Sequence, residues 1–326
     1  HPPPPRPPIR HKHIGQRLLK RNSMAHNKIP YPKKAKSIDE QIDKLRDHGI
    51  EILNESKAKE CLSDIGYYRL GFYIHPFEIT YPAHGRNRSH NVRPGTKIED
   101  VVALYYFDFD IRNILNRYLA RIEVAIRTTV VNELSNKYID NPTWFVDPNV
   151  VSQKFIEDFP SAAYNAIRKN EVIKRHHDKY IGQYAPAWKT IEYMTLGNIE
   201  TLYDSLIWDN DKKLISNRFG EPAIGTFKSY LSAIRELRNA CAHGKVIFDL
   251  KLINGIRSGR ACSFSGINRS RNGISGVLAV VDFLLKTISV NRAIDMHKEI
   301  SAATLQLYAK TPSIRQTIET LTGIVP

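Results

Sequence analysis

The stretch Arg238-Asn239-Ala240-Cys241-Ala242-His243 holds the residue types that metal-free phosphodiester cleavage requires. A ribose 2′-OH can attack the adjacent phosphorus, so RNA needs no nucleophile from the protein. It needs a group that moves protons near neutral pH, for which His243 is suited. It also needs a cation for the charge that builds on the phosphoryl oxygens, which the planar fork of Arg238 supplies. Asn239 is placed to orient the imidazole or to hold a phosphate oxygen. A helix C-terminus favours positive charge, which suits a proton donor. Asn239 and His243 are i and i+4 and share a helix face. Arg238 and His243 are i and i+5 and point about 140° apart. One helix alone therefore aims them poorly at one phosphate. Two copies about a two-fold axis would bring two of each to a shared cleft. The form with Asn directly after the Arg occurs once, so that arrangement requires a homodimer. The bare spacing is common, and a salt bridge at Arg238 with carbonyl capping by His243 also accounts for it.

The elements that must position this motif read as helices. Phe227, Tyr230, Leu231, Ile234, Leu237 and Cys241 form the apolar stripe of a helix over 226–243, with Pro222 before it and Gly244 at its C-cap. Cys241 falls on that stripe and reads as a packed thiol rather than a nucleophile. The most persistent pattern is Ile111, Leu115, Leu119, Ile122, Ile126, Val130 and Leu134, one face of a long amphipathic helix that ends before Asn141-Pro142. A capping box at Thr96–Glu99 opens that helix, and another at Ser37–Glu40 opens a first helix. The long helix carries Arg112, Arg117, Arg121, Glu123 and Arg127 on its other faces. Glu123, with Arg121 and Arg127 beside it, is either an ion-pair member or a support for the motif. The aromatic run Tyr67 to Tyr81 reads as a packed corner in preference to a base-stacking platform. Further helices are expected at 57–65, within 150–181, between Trp188 and Trp208, and from Val277 to about Lys310. His176-His177 has no ligand partner at metal spacing, so no metal and no cofactor is expected.

Charge gathers locally. Lys+Arg number 48 against Asp+Glu 33 in 326 residues, a formal +15 that points to a polyanion partner. Residues 1–23 are Pro-rich and acid-free, contribute six of the fifteen, and read as a leader or tag-like segment or a basic arm. Residues 82–97 hold Arg86, Arg88, Arg93 and Lys97, and residues 254–276 hold Arg257, Arg260, Arg269 and Arg271, all without an acid between them. Both stretches read as loops, the second a mobile one rich in Gly and Ser. They are either solvated surface or, with Arg127 and Lys245, contacts to RNA phosphates. Three scattered cysteines form no disulfide framework, and the most apolar stretch, 277–285, is too short to span a membrane. A cytoplasmic setting is expected.

Several blocks together resemble the Abi family of phage-defence proteins, of the AbiD/AbiF type, within the HEPN superfamily. They are YPKKAKSIDEQIDKLRDHGI, IGYYRLGFYIHPF, LYYFDFDIRNILNRYLARIEVAIRTTVVNEL, the Trp188–Leu206 block and RNACAHG, in family order from Tyr31 to Asp249. Tyr67-Tyr68-Arg69 and Arg121-Ile122-Glu123 are its more specific parts. The resemblance implies an all-α HEPN-type bundle with additional helices and long basic loops. The region after Asp249 lies outside the resemblance, and a single domain is expected over 24–326, with an N-terminal helical part at 24–95 and a core with C-terminal helices at 96–326. The resemblance further implies a dimeric, metal-independent endoribonuclease with Arg238, Asn239 and His243 in its active site. An RNA-binding protein that holds a structured noncoding RNA without cleaving it is the alternative.

Overall fold

The computed structural model describes residues 31–264 and 271–326. The leader-like segment 1–23 and Arg269 lie outside the described residues. Ile38–Pro326 form one compact unit, apart from His1–Ser37. The described fold is all-α: among the described residues the only extended pairings are isolated bridges such as Glu51 with Lys97.

Helix α1 (Ile38–Asp47) begins directly after Ser37 and buries Ile42 and Leu45. The Asn54 side chain caps α2 (Glu55–Ile65) by accepting from the Lys57 amide at 3.0 Å. Helix α3 (Tyr67–Ile74) buries Leu70, Tyr73 and Ile74 but leaves Tyr68 and Phe72 exposed. The aromatic run is thus a packed corner on one side only.

Helix α4 (Ile98–Lys137) has 40 residues, about 60 Å of rise. All seven residues of its expected stripe are buried. Each such side chain contributes roughly 1.5–3 kcal/mol by leaving water. Its start differs from the expected capping box by one residue. Lys97 is the N-cap, its amide donates to the Asp100 carboxylate at 3.3 Å, and the Thr96 hydroxyl is spent on the Arg93 carbonyl at 2.7 Å. Arg112 and Glu123, though off that stripe, are buried as well.

A series of shorter helices follows: α5 (Gln153–Phe159), the one-turn α6 (Asn165–Ile167), α7 (Glu171–Lys179), the one-turn α8 (Ala187–Thr190), α9 (Leu196–Ser205) and α10 (Asp209–Arg218). Helix α11 (Ile224–Ala242) buries Phe227, Tyr230, Leu231, Ile234 and Leu237, as its stripe requires. The C-terminal part is α12 (Ile274–Ile288), α13 (Val290–Lys310) and α14 (Arg315–Thr322). Helix α4 is the axis of the bundle and touches α3, α8, α10, α11, α12 and α13. No described helix is long and apolar enough to cross a membrane.

The described part of 254–276 is fastened, contrary to its composition. The amides of Arg257, Arg260 and Ala261 donate to Ser229, Glu221 and Tyr230 at 3.0, 2.9 and 3.2 Å. Leu252, Ile256 and Cys262 are buried. Glycine serves close approach here rather than freedom. A Cβ on Gly259 would stand 2.5 Å from Thr226 Cγ2 and 2.6 Å from both Glu221 Oε2 and the Tyr230 hydroxyl. Gly259→Ala should therefore cost about 1–3 kcal/mol in urea unfolding, as overpacking does. A change within 0.5 kcal/mol would contradict that closeness.

Candidate functional site

The motif closes α11 in a Schellman turn. Gly244 takes φ +63, the Lys245 amide reaches the Ala240 carbonyl at 2.9 Å, and the Gly244 amide reaches that of Cys241 at 3.3 Å. The backbone of His243 is the C-cap, and its side chain is exposed. Among the described residues none hydrogen-bonds its imidazole or the side chain of Asn239. Arg238 and His243 stand about 7.5 Å apart along the axis.

Helix α4 meets α11 in antiparallel fashion. Arg238 lies at Glu123, while Gly244 lies at Arg112, eleven residues earlier on α4. Glu123 is a two-sided acceptor with a side chain only 8% exposed. One oxygen takes Arg127 Nη2 at 2.5 Å and the other takes Arg238 Nε at 3.2 Å. Arg127 Nε donates in turn to the Met194 carbonyl at 3.1 Å, which ties in the turn before α9. With Nε held, the terminal nitrogens of the half-exposed Arg238 stay available for an anion.

A second constellation fixes the other end of the motif. The carboxylate of Asp108 is fully buried, accepts the amides of Ile247 and Phe248 at 3.0 Å each and the Tyr73 hydroxyl at 2.9 Å, and forms an ion pair with Arg112 Nε at 3.2 Å, which donates to the Asp108 backbone carbonyl. Burial pushes its carboxyl pKa up, and these donors oppose the rise. Burial and the neighbouring carboxylate push the Tyr73 hydroxyl well up, so it stays a donor. Arg69 Nη2 donates to the Gly244 carbonyl at 2.6 Å. Sequence reasoning held Tyr73 only as a member of the aromatic corner and Asp108 only within a family block, and assigned neither a role at the motif. Arg69 was legible only as part of the Tyr67-Tyr68-Arg69 block.

The remaining basic residues divide. Lys245 is exposed beside the motif, Arg121 is exposed on the far face of α4 from Glu123 and so is not brought to the motif, and Arg86, Arg257, Arg260 and Arg271 are exposed in their loops. Arg88 is committed to the buried carboxylate of Glu78, Nε at 3.0 Å, and Arg93 donates to the Glu78 and Pro76 carbonyls at 3.2 and 2.9 Å. The acid-free loop is thus balanced by an acid just before it. Lys97 caps α4, and the Arg271 guanidinium lies over Phe264 and donates to the Ile256 carbonyl. The loop at 82–97 still touches the segment beyond the motif, since His84 and Lys251 meet at 3.0 Å.

Burial pushes the Cys241 thiol up to about 12. Alkylation by iodoacetamide at pH 8 should therefore spare it, and Cys241→Ala should leave any motif-dependent activity within about twofold. Rapid labelling in a peptide map would contradict the packed reading. Among the described residues no three His, Cys, Asp or Glu side chains gather as a metal site.

The two constellations draw on α3, α4, the turn before α9, and α11 with its following segment, all within one stretch of sequence. A family model described as Abi-like protein matches residues 60–249, more than half of the chain, and covers both constellations. No curated protein and no solved structure matches. The chain belongs to the Abi-like protein family.

Proposed function

We propose that this chain is a metal-independent endoribonuclease of the HEPN superfamily that acts in abortive infection against phage. The observation that carries the reading is Arg238 held by buried Glu123, with the imidazole of His243 left exposed at the end of the same helix. A guanidinium fixed on one edge presents the other to phosphoryl oxygens without reorganising, which is where electrostatic catalysis gains most. The 2′-oxygen forms a bond to phosphorus as the bond to the 5′-oxygen breaks. One proton leaves the 2′-OH for a base and one reaches the 5′-oxygen from an acid. The products are a 2′,3′-cyclic phosphate and a 5′-OH.

Two copies would complete the site. In one chain Arg238 is anchored by α4, whereas His243 has no orienting partner among the described residues. A two-fold pairing of the α11 ends would supply two arginines and two histidines to one cleft. Arg127 and Lys245 would border that cleft, and Arg86, Arg257 and Arg260 would extend the basic surface.

The test is pure protein with labelled RNA in EDTA, beside His243→Ala. Cleavage that survives EDTA and is lost in the variant supports the reading. Tight, salt-sensitive binding without products would instead identify a protein that holds a structured RNA.

A further inference from the structure

One face of α4 runs past the motif into aromatic residues. Positions 105, 109, 112, 116, 123 and 127 fall within about 60° of one another on that helix. Glu123, itself paired with Arg127, holds Arg238 at one end, and Arg112 meets Gly244 in the middle. Tyr105 and Phe109 lie beyond, one turn apart. Their ring centroids are 6.5 Å apart and their planes 26° from parallel. Phe109 is 44% exposed. The two rings are joined to the motif by arginines: Arg112 lies 5.8 Å over Phe109, and Arg69, which grips the Gly244 carbonyl, lies 5.8 Å over Tyr105. Phe72, one turn after Arg69 on α3, is exposed as well.

We propose that the Tyr105–Phe109 stripe is a stacking surface for an unpaired nucleobase of the RNA whose phosphate sits at Arg238 and His243. The proposal rests on the ribonuclease reading and adds to it a base-stacking surface on α4. The stripe begins one helical turn, about 5 Å, beyond the contact of Arg112 with Gly244, so it lies within reach of a nucleotide adjoining His243. Every base has a π-face that such rings accept, and a paired base does not expose its own. Charge favours RNA over a second copy of the chain on this stripe. Arg69 and Arg112 flank the rings, and Asp108, the acid between them, is buried and fully engaged. Arg112 is buried and neutralised by Asp108, but Arg69 has no acid partner among the described residues, and a self-pairing here would set it against its own copy. The acids of this region lie elsewhere, in a groove where Tyr106 neighbours Asp64 and Asp110.

The experiment uses the full chain with His243→Ala, so that RNA stays uncut. The probe is an unstructured RNA of roughly 12 nucleotides with 2-aminopurine placed at each position in turn. Binding should quench the fluorophore at one or two positions. Adding Phe109→Ala should abolish that quench and weaken binding about tenfold, and Phe109→Trp should restore both. The same RNA annealed to its complement should bind both chains alike. Unchanged affinity and quench in a folded Phe109→Ala chain would overturn the stripe while leaving the nuclease reading intact. A fall in mass by light scattering in that variant would overturn it too, by showing a second copy on the rings. Absence of any RNA binding by the parent overturns both.

Discussion

Replacing His243 by Ala should lower single-turnover RNA cleavage by about 10²- to 10⁴-fold, the range over which a positioned proton-transfer group acts. The side chain is exposed and makes no hydrogen bond among the described residues, so the fold should be untouched. RNA affinity should stay within a few-fold, because phosphate contacts come from the arginines. Arg238→Ala should cost about 10²- to 10³-fold, as removal of one charge-stabilising donor does. The double variant should be little worse than either single one, because the two groups act on one phosphate. Glu123→Gln tests the link between α4 and the motif. It keeps shape but removes the charge that Arg238 and Arg127 share, and so should lie between the parent and Arg238→Ala. Cleavage by His243→Ala at the parent rate, with EDTA present in both, would refute the assignment.

These variants rest on features of unequal visibility in the sequence. The α4 stripe was legible because seven positions repeat the helical period and each is buried. Helix α11 was legible for the same reason, and Gly244 marked its end. Glu123 stood out as an acid one step from the stripe between arginines. Its contact with Arg238 could not be read, since 115 residues separate them. Asp108 and Arg112 gave no signal. A charged residue beside an apolar stripe is ordinarily solvated, and what buries this pair is a set of backbone amides 139 and 140 residues away. The loop at 254–276 misled for a different reason. Glycine marks both mobile chain and close approach, and only the buried Glu221 and Tyr230 on the facing elements decide for the second. At Thr96 two neighbouring capping registers were chemically acceptable. The choice fell to Lys97 because the Thr96 hydroxyl already serves the Arg93 carbonyl.

Asp108→Ala should be the most destabilising single change outside the apolar core, at about 3–5 kcal/mol in urea unfolding. The carboxylate is fully buried and every partner it has is a donor. Its removal strands the Arg112 guanidinium in the interior with no counter-charge, and it leaves the amides of Ile247 and Phe248 unsatisfied. Tyr73→Phe removes one donor and leaves the pair intact, so it should cost only about 1 kcal/mol. The contrast separates loss of the charged anchor from loss of a single neutral hydrogen bond to it. The same anchor holds the chain leaving the motif against α3 and α4, so its loss should be felt locally before the fold gives way. Amide exchange at Ile247 and Phe248 should accelerate in Asp108→Ala at temperatures where the rest of α4 stays protected. Uniform acceleration along α4 would mean that Asp108 stabilises the bundle as a whole. Exchange confined to 245–249 would show a carboxylate whose local task is to keep the end of α11, and with it His243, in place.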